Sequence, residues 1–586
     1  MNTMGPSDVA PFPEAIEVKR SDPVYMAHAY LTKVPVPGIL PFIEAFTQPG
    51  DIVLDPFAGS GMTGVAALAL GRRARLFDVS VLGRHIGRNY TNLVMPERLR
   101  KLGYEIVEQV RARLGDVYAV ACETCGEGAQ LAKTVWSMVM ECGACGEEVN
   151  FYRALEAADW QKPKMTCPHC EAPFTSRSKR VAEEPVVDWI SCSCSRTQRE
   201  QDWTPALVPV DATGLVRPDV TIESTRQMYV ASALGRHGLT STGSFYSSRN
   251  LSVLAAMRSA IDGVEEPDLR AKLLFAFTAI LTRASKRYQW SRQRPLNAAN
   301  ANYYVAPVFY EWNVFELFGR KVEAAIKSDD WIRVQRGAGT LFGAVDGIDI
   351  SYDLASADAL PLEDHSVDYV FTDPPFGSNI FYSDMNLFQE AWLGETTDMT
   401  VEAVVDRVNT GGELRTAARY EKLLTDALHE CRRVVKSRGH ITMVFGNSRG
   451  EMWQMVQRAI GAAGLEVVPE MIATLNKGQR SVKGLASGFE NIATLDLMLT
   501  LRPASDAVAP SVCPTQSAVQ SVAQDLLGGD ADLTPSHLYL EILRHGFRHG
   551  WDLGQLDLSA VANLLRSVDL EIDPRSARVS TAAAAG

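Results

Sequence analysis

Apolar and polar positions near the start of the chain fall into short blocks. Ile52-Val53-Leu54 is an apolar run closed by Asp55 and Pro56, which predicts a buried strand ending in an acidic turn. Ala58-Gly59-Ser60-Gly61 reads as a glycine-rich loop and Met62 to Leu70 as the helix behind it. Arg75-Leu76-Phe77-Asp78 then reads as a second strand that again ends in an acid. Strand, glycine loop, helix, strand is the opening of a doubly wound α/β sheet. Helical spacing continues from about Val81 to Leu114, with a break near Pro96.

From about Ala121 to Arg199 periodicity is poor and cysteines punctuate the chain, as expected of a small metal-held module. Helical spacing returns from Asn250 to Tyr288, with Pro267 at a helix start, and a polar, aromatic stretch runs from Gln289 to Trp312. The α/β pattern resumes with strands at Ile348–Leu354 and Val367–Thr372, the second running into Asp373-Pro374-Pro375-Phe376. A helix over Tyr420–Val435, a turn at Arg438-Gly439 and strands at His440–Phe445 and Leu495–Leu501 follow. Beyond Pro503 the composition turns to Ala, Ser, Pro and Asp, which predicts a linker. Ser536 to Arg566 reads as a small helical appendage and Ser576 to Gly586 as a frayed tail.

These shifts divide the chain into five parts. Residues 1–118 and 345–503 are two halves of one α/β domain. Residues 119–205 are a cysteine-rich insert, 206–344 a helical region, and 504–586 the linker and appendage.

With 586 residues there is ample chain for several domains, and 46% hydrophobic with 22% charged residues is ordinary for a soluble globular protein. The opening residues lack the basic flank and apolar run of a secretory signal. No apolar stretch approaches the roughly 18–20 residues that span a bilayer, so a soluble, cytoplasmic protein with no membrane role is expected. A net charge of −12 excludes a uniformly basic nucleic-acid coat but allows a local basic groove.

Eight of the ten cysteines fall between Cys122 and Cys194 in close pairs, a spacing that in a cytoplasmic chain points to metal ligation. Cys122, Cys125, Cys142 and Cys145 read as one zinc ribbon. Cys167, Cys170, Cys192 and Cys194 form a second, less regular set in which His169 could replace a ligand. The expected role is structural, with one or two zinc ions. Cys431 and Cys513 remain as isolated thiols.

Two loops carry candidate chemistry. Asp55-Pro56-Phe57-Ala58-Gly59-Ser60-Gly61 lets the backbone approach a ligand closely and sets a helix start behind it. It lacks the third glycine of a dinucleotide fingerprint and the lysine of a P-loop, so a nucleoside with an amino-acid tail, such as S-adenosylmethionine, suits it. Asp78, at the end of the next strand, is placed to accept ribose hydroxyls. In Asp373-Pro374-Pro375-Phe376, two prolines after a strand make a rigid exposed loop. The Asp373 carboxylate and Pro374 carbonyl could accept the two N–H groups of an exocyclic amine, while Phe376 stacks on a flipped base.

These residues resemble the amino-methyltransferases of DNA, which modify adenine N6 or cytosine N4. That family pairs a Phe-x-Gly-x-Gly cofactor loop, here Phe57 to Gly61, with an (Asp/Asn/Ser)-Pro-Pro-(Tyr/Phe/Trp) catalytic loop, here Asp373 to Phe376. Tyr30-Leu31-Thr32-Lys33-Val34-Pro35 resembles its Lys-x-Pro element beside the cofactor, and Asp358 stands where the family places an acid near the cofactor's adenine. The resemblance covers roughly residues 22–100 and 345–502. It implies a Rossmann-like methyltransferase sheet split by the zinc-ribbon and helical target-recognition insert. It further implies S-adenosylmethionine as cofactor and double-stranded DNA with a flipped base as substrate, adenine N6 favoured, in a restriction–modification or anti-phage setting with possible partner proteins. One departure is that the insert enters after the second strand, so Asp358 follows it.

Arg283, Lys286, Arg287, Arg292 and Arg294, with Tyr288 and Trp290, form a basic, aromatic stretch free of acids. It is the candidate nucleic-acid contact, against the alternative of a solvated helix end. Two other functions fit the motifs: an RNA guanine-N2 methyltransferase, and a zinc-dependent nucleic-acid-binding protein with a vestigial methyltransferase half.

Overall fold

The structure is a computed structural model that describes residues 14–19, 21–292, 303–339, 349–377, 380–406, 415–477, 495–504, 511–529, 535–561, 570–572 and 579–581. It is a mixed α/β architecture. Strands β1 (Ala15–Glu17), β2 (Ile52–Asp55) and β3 (Arg73–Asp78) lead into an inserted sheet. That sheet contains β4 (Ala119–Ala121), β5 (Gly128–Glu141), β6 (Glu148–Asn150), β7 (Lys179–Ser191), β8 (Arg199–Asp202) and β9 (Val308–Trp312). The chain then returns to the first sheet through β10 (Ile350–Leu354), β11 (Val367–Thr372), β12 (Val435–Phe445), β13 (Leu465–Asn476) and β14 (Asp496–Pro503).

The first sheet runs β1-β13-β14-β12-β11-β2-β3-β10. β10, formed after the insert, pairs parallel with β3 and closes that edge, while β2 and β11 are parallel neighbours with Val53 opposite Tyr369. Side chains alternate across each strand. Val53, Leu76 and Phe371 therefore enter one core, and Leu54, Phe77 and Val370 enter the other. The first core takes helices Val36–Phe46, Met62–Ala69 and Val81–Thr91. The second takes Ala417–Val434 and Gly450–Ala462.

The insert is not a module with its own small core. Leu131, Val135, Met138 and Phe151 share one continuous core with the first face of the main sheet. Residues 121–199 are also more regular than expected, because β5 and β7 are strands of 14 and 13 residues paired antiparallel along their length. Val308–Trp312, expected to lie in an irregular stretch, adds to β5 as β9. The turn expected at Arg438-Gly439 is absorbed into β12 as a register irregularity.

The C-terminal part also differs. A helix, Gln516–Gly529, occupies the expected linker. The helix Pro535–Arg548 buries Leu538, Tyr539, Ile542 and Leu543 in the second core. Asp557 accepts the Gly450 amide at 2.6 Å, satisfying an N–H at the start of a helix that sequence pattern did not reveal. Within the expected frayed tail, Val579–Thr581 pairs antiparallel with Leu570–Ile572.

Candidate active site

β2 continues into a helix that leads towards β3, whereas β11 is followed by β12 on its other side. Sheet order therefore reverses between β2 and β11, and the carboxyl ends of the two strands open a crevice there. Asp55 ends β2 and Asp373 follows β11, so the Gly-Ser-Gly loop and the Pro-Pro loop wall one cavity.

Lys33, Asp55, Pro56, Phe57, Ala58, Gly59, Ser60, Asp78 and Asp358 from the expected cofactor set border the cavity, as do Asp373 and Pro375. Gly61, Pro374 and Phe376 are not among its walls. Gly61 stands behind the loop with φ +78°, where a Cβ would lie 2.6 Å from the Gly87 Cα. The half-buried Phe376 ring packs on Phe445, centroids 5.0 Å apart.

The glycine loop is held from several sides. The Gly59 amide donates to Asp78 at 2.8 Å, and the Tyr352 hydroxyl donates to the Gly59 carbonyl at 2.6 Å. Gly83 and Gly87 lie one helical turn apart on the helix behind the loop. A Cβ on Gly83 would sit 2.6 Å from the Gly59 carbonyl oxygen, and one on Gly87 would sit 2.4 Å from the Tyr352 ring. Two small residues four apart on a helix were the readable signal for this close approach, and sequence reading missed it.

Five carboxyl groups, those of Asp55, Asp78, Asp358, Asp373 and Glu402, stand among largely apolar walls. Asp55 accepts the Phe57 amide at 3.1 Å and the Thr63 hydroxyl at 2.6 Å, and burial pushes it up to about 7. Asp78, which also accepts the Ser80 amide at 2.9 Å, is raised by the same cause. Burial pushes Asp373 up to about 6 against the pull of Lys477. Glu402, unanticipated from sequence, accepts the Tyr382 and Ser383 amides at 2.5 and 3.2 Å, and burial raises it to about 7. Tyr30 and Tyr382 stack at 6.1 Å on the same wall, and the Thr32 and Tyr382 hydroxyls are 2.5 Å apart.

Lys33 borders the cavity, but its ammonium points elsewhere. It donates to the Tyr25 and His28 carbonyls at 2.7 and 2.8 Å, and burial lowers it to about 7. Its charge organises the backbone before the cavity and does not face a ligand there.

The cysteines group differently from the sequence expectation. Cys122 and Cys125 meet Cys192 and Cys194, while Cys142 and Cys145 meet Cys167 and Cys170. β5 separates the first two knuckles by 14 extended residues, about 45 Å, so they cannot share an ion. Antiparallel pairing of β5 with β7 brings each knuckle to a partner at its own end of the hairpin. No glycine or proline interrupts Ala129 to Glu141, which was the available signal. His169 belongs to neither group. Sulfur separations of 3.4–3.7 Å in one group and 3.7–3.8 Å in the other fit the roughly 3.8 Å edge of a tetrahedron with 2.3 Å metal–sulfur bonds. Both groups could hold zinc.

The basic stretch is largely internal. Arg287 is 1% exposed and lies over the Tyr303 and Phe388 rings, and burial lowers it to about 10. Arg283 lies over Tyr288 and Trp312, the Tyr288 ring is buried, and Lys286 pairs with Glu183 at 2.8 Å. Trp290 packs between Tyr152 and Trp160. Arg292 is exposed, and Arg294 lies outside the described residues. A surface made of the whole stretch is therefore replaced by an aromatic core that stores most of its cations, because guanidinium planes stack on rings as well as they meet phosphates. Among the described residues no helix is long and apolar enough to cross a membrane.

Residues 13–111 match the family model described as DNA methylase. A stretch of 42 residues is 64% identical to the Escherichia coli (strain K12) protein named "Putative methylase YubD". That stretch is 7% of this chain and spans 18% of the relative.

Proposed function

Because its residues 13–111 carry the DNA methylase family's sequence, we propose that the protein transfers a methyl group from S-adenosylmethionine to an exocyclic amine in DNA. Adenine N6 is the first target to test and cytosine N4 the second. The observation that carries this reading is the meeting of the Gly-Ser-Gly and Pro-Pro loops in one cavity at the sheet's reversal point.

The wall chemistry supports the cofactor. Asp55, Asp78, Asp358, Asp373 and Glu402 surround a space suited to a ligand with sulfonium and ammonium centres. Each Asp78 oxygen accepts one backbone amide and keeps capacity for a ribose hydroxyl. S-adenosylmethionine bound there would supply a methyl carbon made electrophilic by its sulfonium.

The chain's own contribution is orientation. Asp373 accepts one N–H of the target amine. The Tyr420 hydroxyl and the Asn447 side-chain amide donate to the Pro375 and Phe376 carbonyls and fix the loop, and in this reading the second acceptor is the Pro374 carbonyl. Those two bonds draw the amine lone pair out of ring conjugation. With S-adenosylmethionine bound, the aligned nitrogen would take the methyl group while sulfur keeps the bonding pair, and the proton given up by the amine would pass to water. The base is reached by flipping it from the duplex. In this reading residues 206–344 and the exposed Arg292 belong to target recognition, the two tetra-cysteine groups hold structural zinc, and the fold is the Rossmann-like methyltransferase sheet.

The test is incubation with methyl-labelled S-adenosylmethionine and either duplex DNA or tRNA, followed by nucleoside mass spectrometry. Label in N6-methyladenine or N4-methylcytosine of DNA is expected. Label confined to RNA, or none, overturns the proposal.

A further inference from the structure

Asp373 has a buried cation beside it that no motif announced. Lys477, at the end of β13, is 6% exposed, and its ammonium lies 2.7 Å from an Asp496 oxygen and 3.9 Å from an Asp373 oxygen. Asp496 opens β14, and Asp373 follows β11. β14 and β12 stand between β13 and β11 in the sheet, so the lysine reaches across two strand ends. Gly446, just past β12, makes the crossing possible: a Cβ there would lie 2.1 Å from an Asp496 oxygen.

We propose that Lys477 is the positioning residue that keeps Asp373 an ionised hydrogen-bond acceptor, with Asp496 sharing and tempering that charge; this rests on the methyltransferase reading above. The need is physical. A carboxyl in a closed cavity loses its hydration, and a second carboxylate nearby disfavours its charge further. A protonated Asp373 presents a donor on one oxygen and only a neutral, weaker acceptor on the other, so it holds the target amine less well. Lys477 opposes both effects, and its own charge is held by the two carboxylates despite burial. The other titratable groups facing this cluster are Asp55 beside Asp373, Tyr382 on the following helix, and Tyr25 towards Lys477. Asp55 and Tyr382 add no positive charge, so among the described residues Lys477 is the cation that sets the ionisation of Asp373.

The experiment is the pH profile of kcat/KM for DNA methylation by the full-length protein, with S-adenosylmethionine affinity measured beside it. In Lys477→Met the acid limb is expected to move up by at least about one pH unit, a roughly tenfold loss on that limb, with rate recovered at higher pH. Lys477→Arg is expected to restore part of the shift. Asp496→Asn is expected to move the limb down, because Lys477 then serves Asp373 alone. Opposite shifts from two neighbours are something a purely structural role would not produce. Should Lys477→Met fail to fold, the Asp496→Asn direction decides the matter. An active wild type whose limb does not move, or moves the same way in both variants, overturns this inference. A wild type inert towards DNA overturns the methyltransferase reading and this inference with it.

Discussion

The Ile52 amide donates to the Asp368 carboxylate at 3.0 Å, joining positions 316 residues apart in the chain. The bond ties the start of β2 to β11, and Lys436 pairs with the other Asp368 oxygen. Two rigid parallel strands in fixed register carry their following loops to the same height. That is how the early glycine loop and the late Pro-Pro loop come to share a cavity without touching in sequence.

Asp373→Ala is expected to abolish methyl transfer while leaving cofactor affinity within a few-fold, since the glycine loop is held by Asp78 and Tyr352 instead. Methyl-transfer assays paired with calorimetric titration of S-adenosylmethionine check this. Turnover near wild type in the variant would remove Asp373 from the proposed role.

Gly87→Ala should weaken both the fold and the cofactor loop. Its methyl group would press on the Tyr352 ring, the prop of the Gly59 carbonyl, and overpacking of this kind typically costs about 1–3 kcal/mol. Tyr352→Phe removes only the hydroxyl bond and should cost about 1 kcal/mol. Denaturant midpoints and cofactor affinities of the two variants should rank in that order.

Metal content tests the cysteine pairing directly. Cys122→Ser/Cys192→Ser should retain one zinc per chain, whereas Cys122→Ser/Cys142→Ser should lose both. Elemental analysis of the purified variants reads the difference. One ion retained in the second variant would restore the sequential grouping.

Glu402 gives a pH signature. Its folded value, raised to about 7 by burial, lies above the ordinary glutamate value, so between them the folded state binds more protons than the unfolded chain. Its ionisation therefore costs stability as pH rises from about 5 to about 8. The stability of wild type minus that of Glu402→Gln should fall across that window in denaturant titrations at fixed salt. A flat or rising difference would show that the carboxyl titrates normally.

Local pattern was enough for β2, β3 and β11, for the helix behind the glycine loop, and for the two loops themselves, because each depends on an apolar run and a glycine or proline immediately beside it. The presence of metal-type knuckles was equally legible from cysteine spacing. Which knuckles share an ion was decided by the β5–β7 register, a pairing between segments that no local spacing encodes. The interior placement of Arg287, the turning away of Lys33 and the reach of Lys477 to Asp373 were also tertiary outcomes. Each places a charge by what surrounds it after packing, and burial and neighbouring charge are properties of the assembled sheet rather than of any stretch of chain.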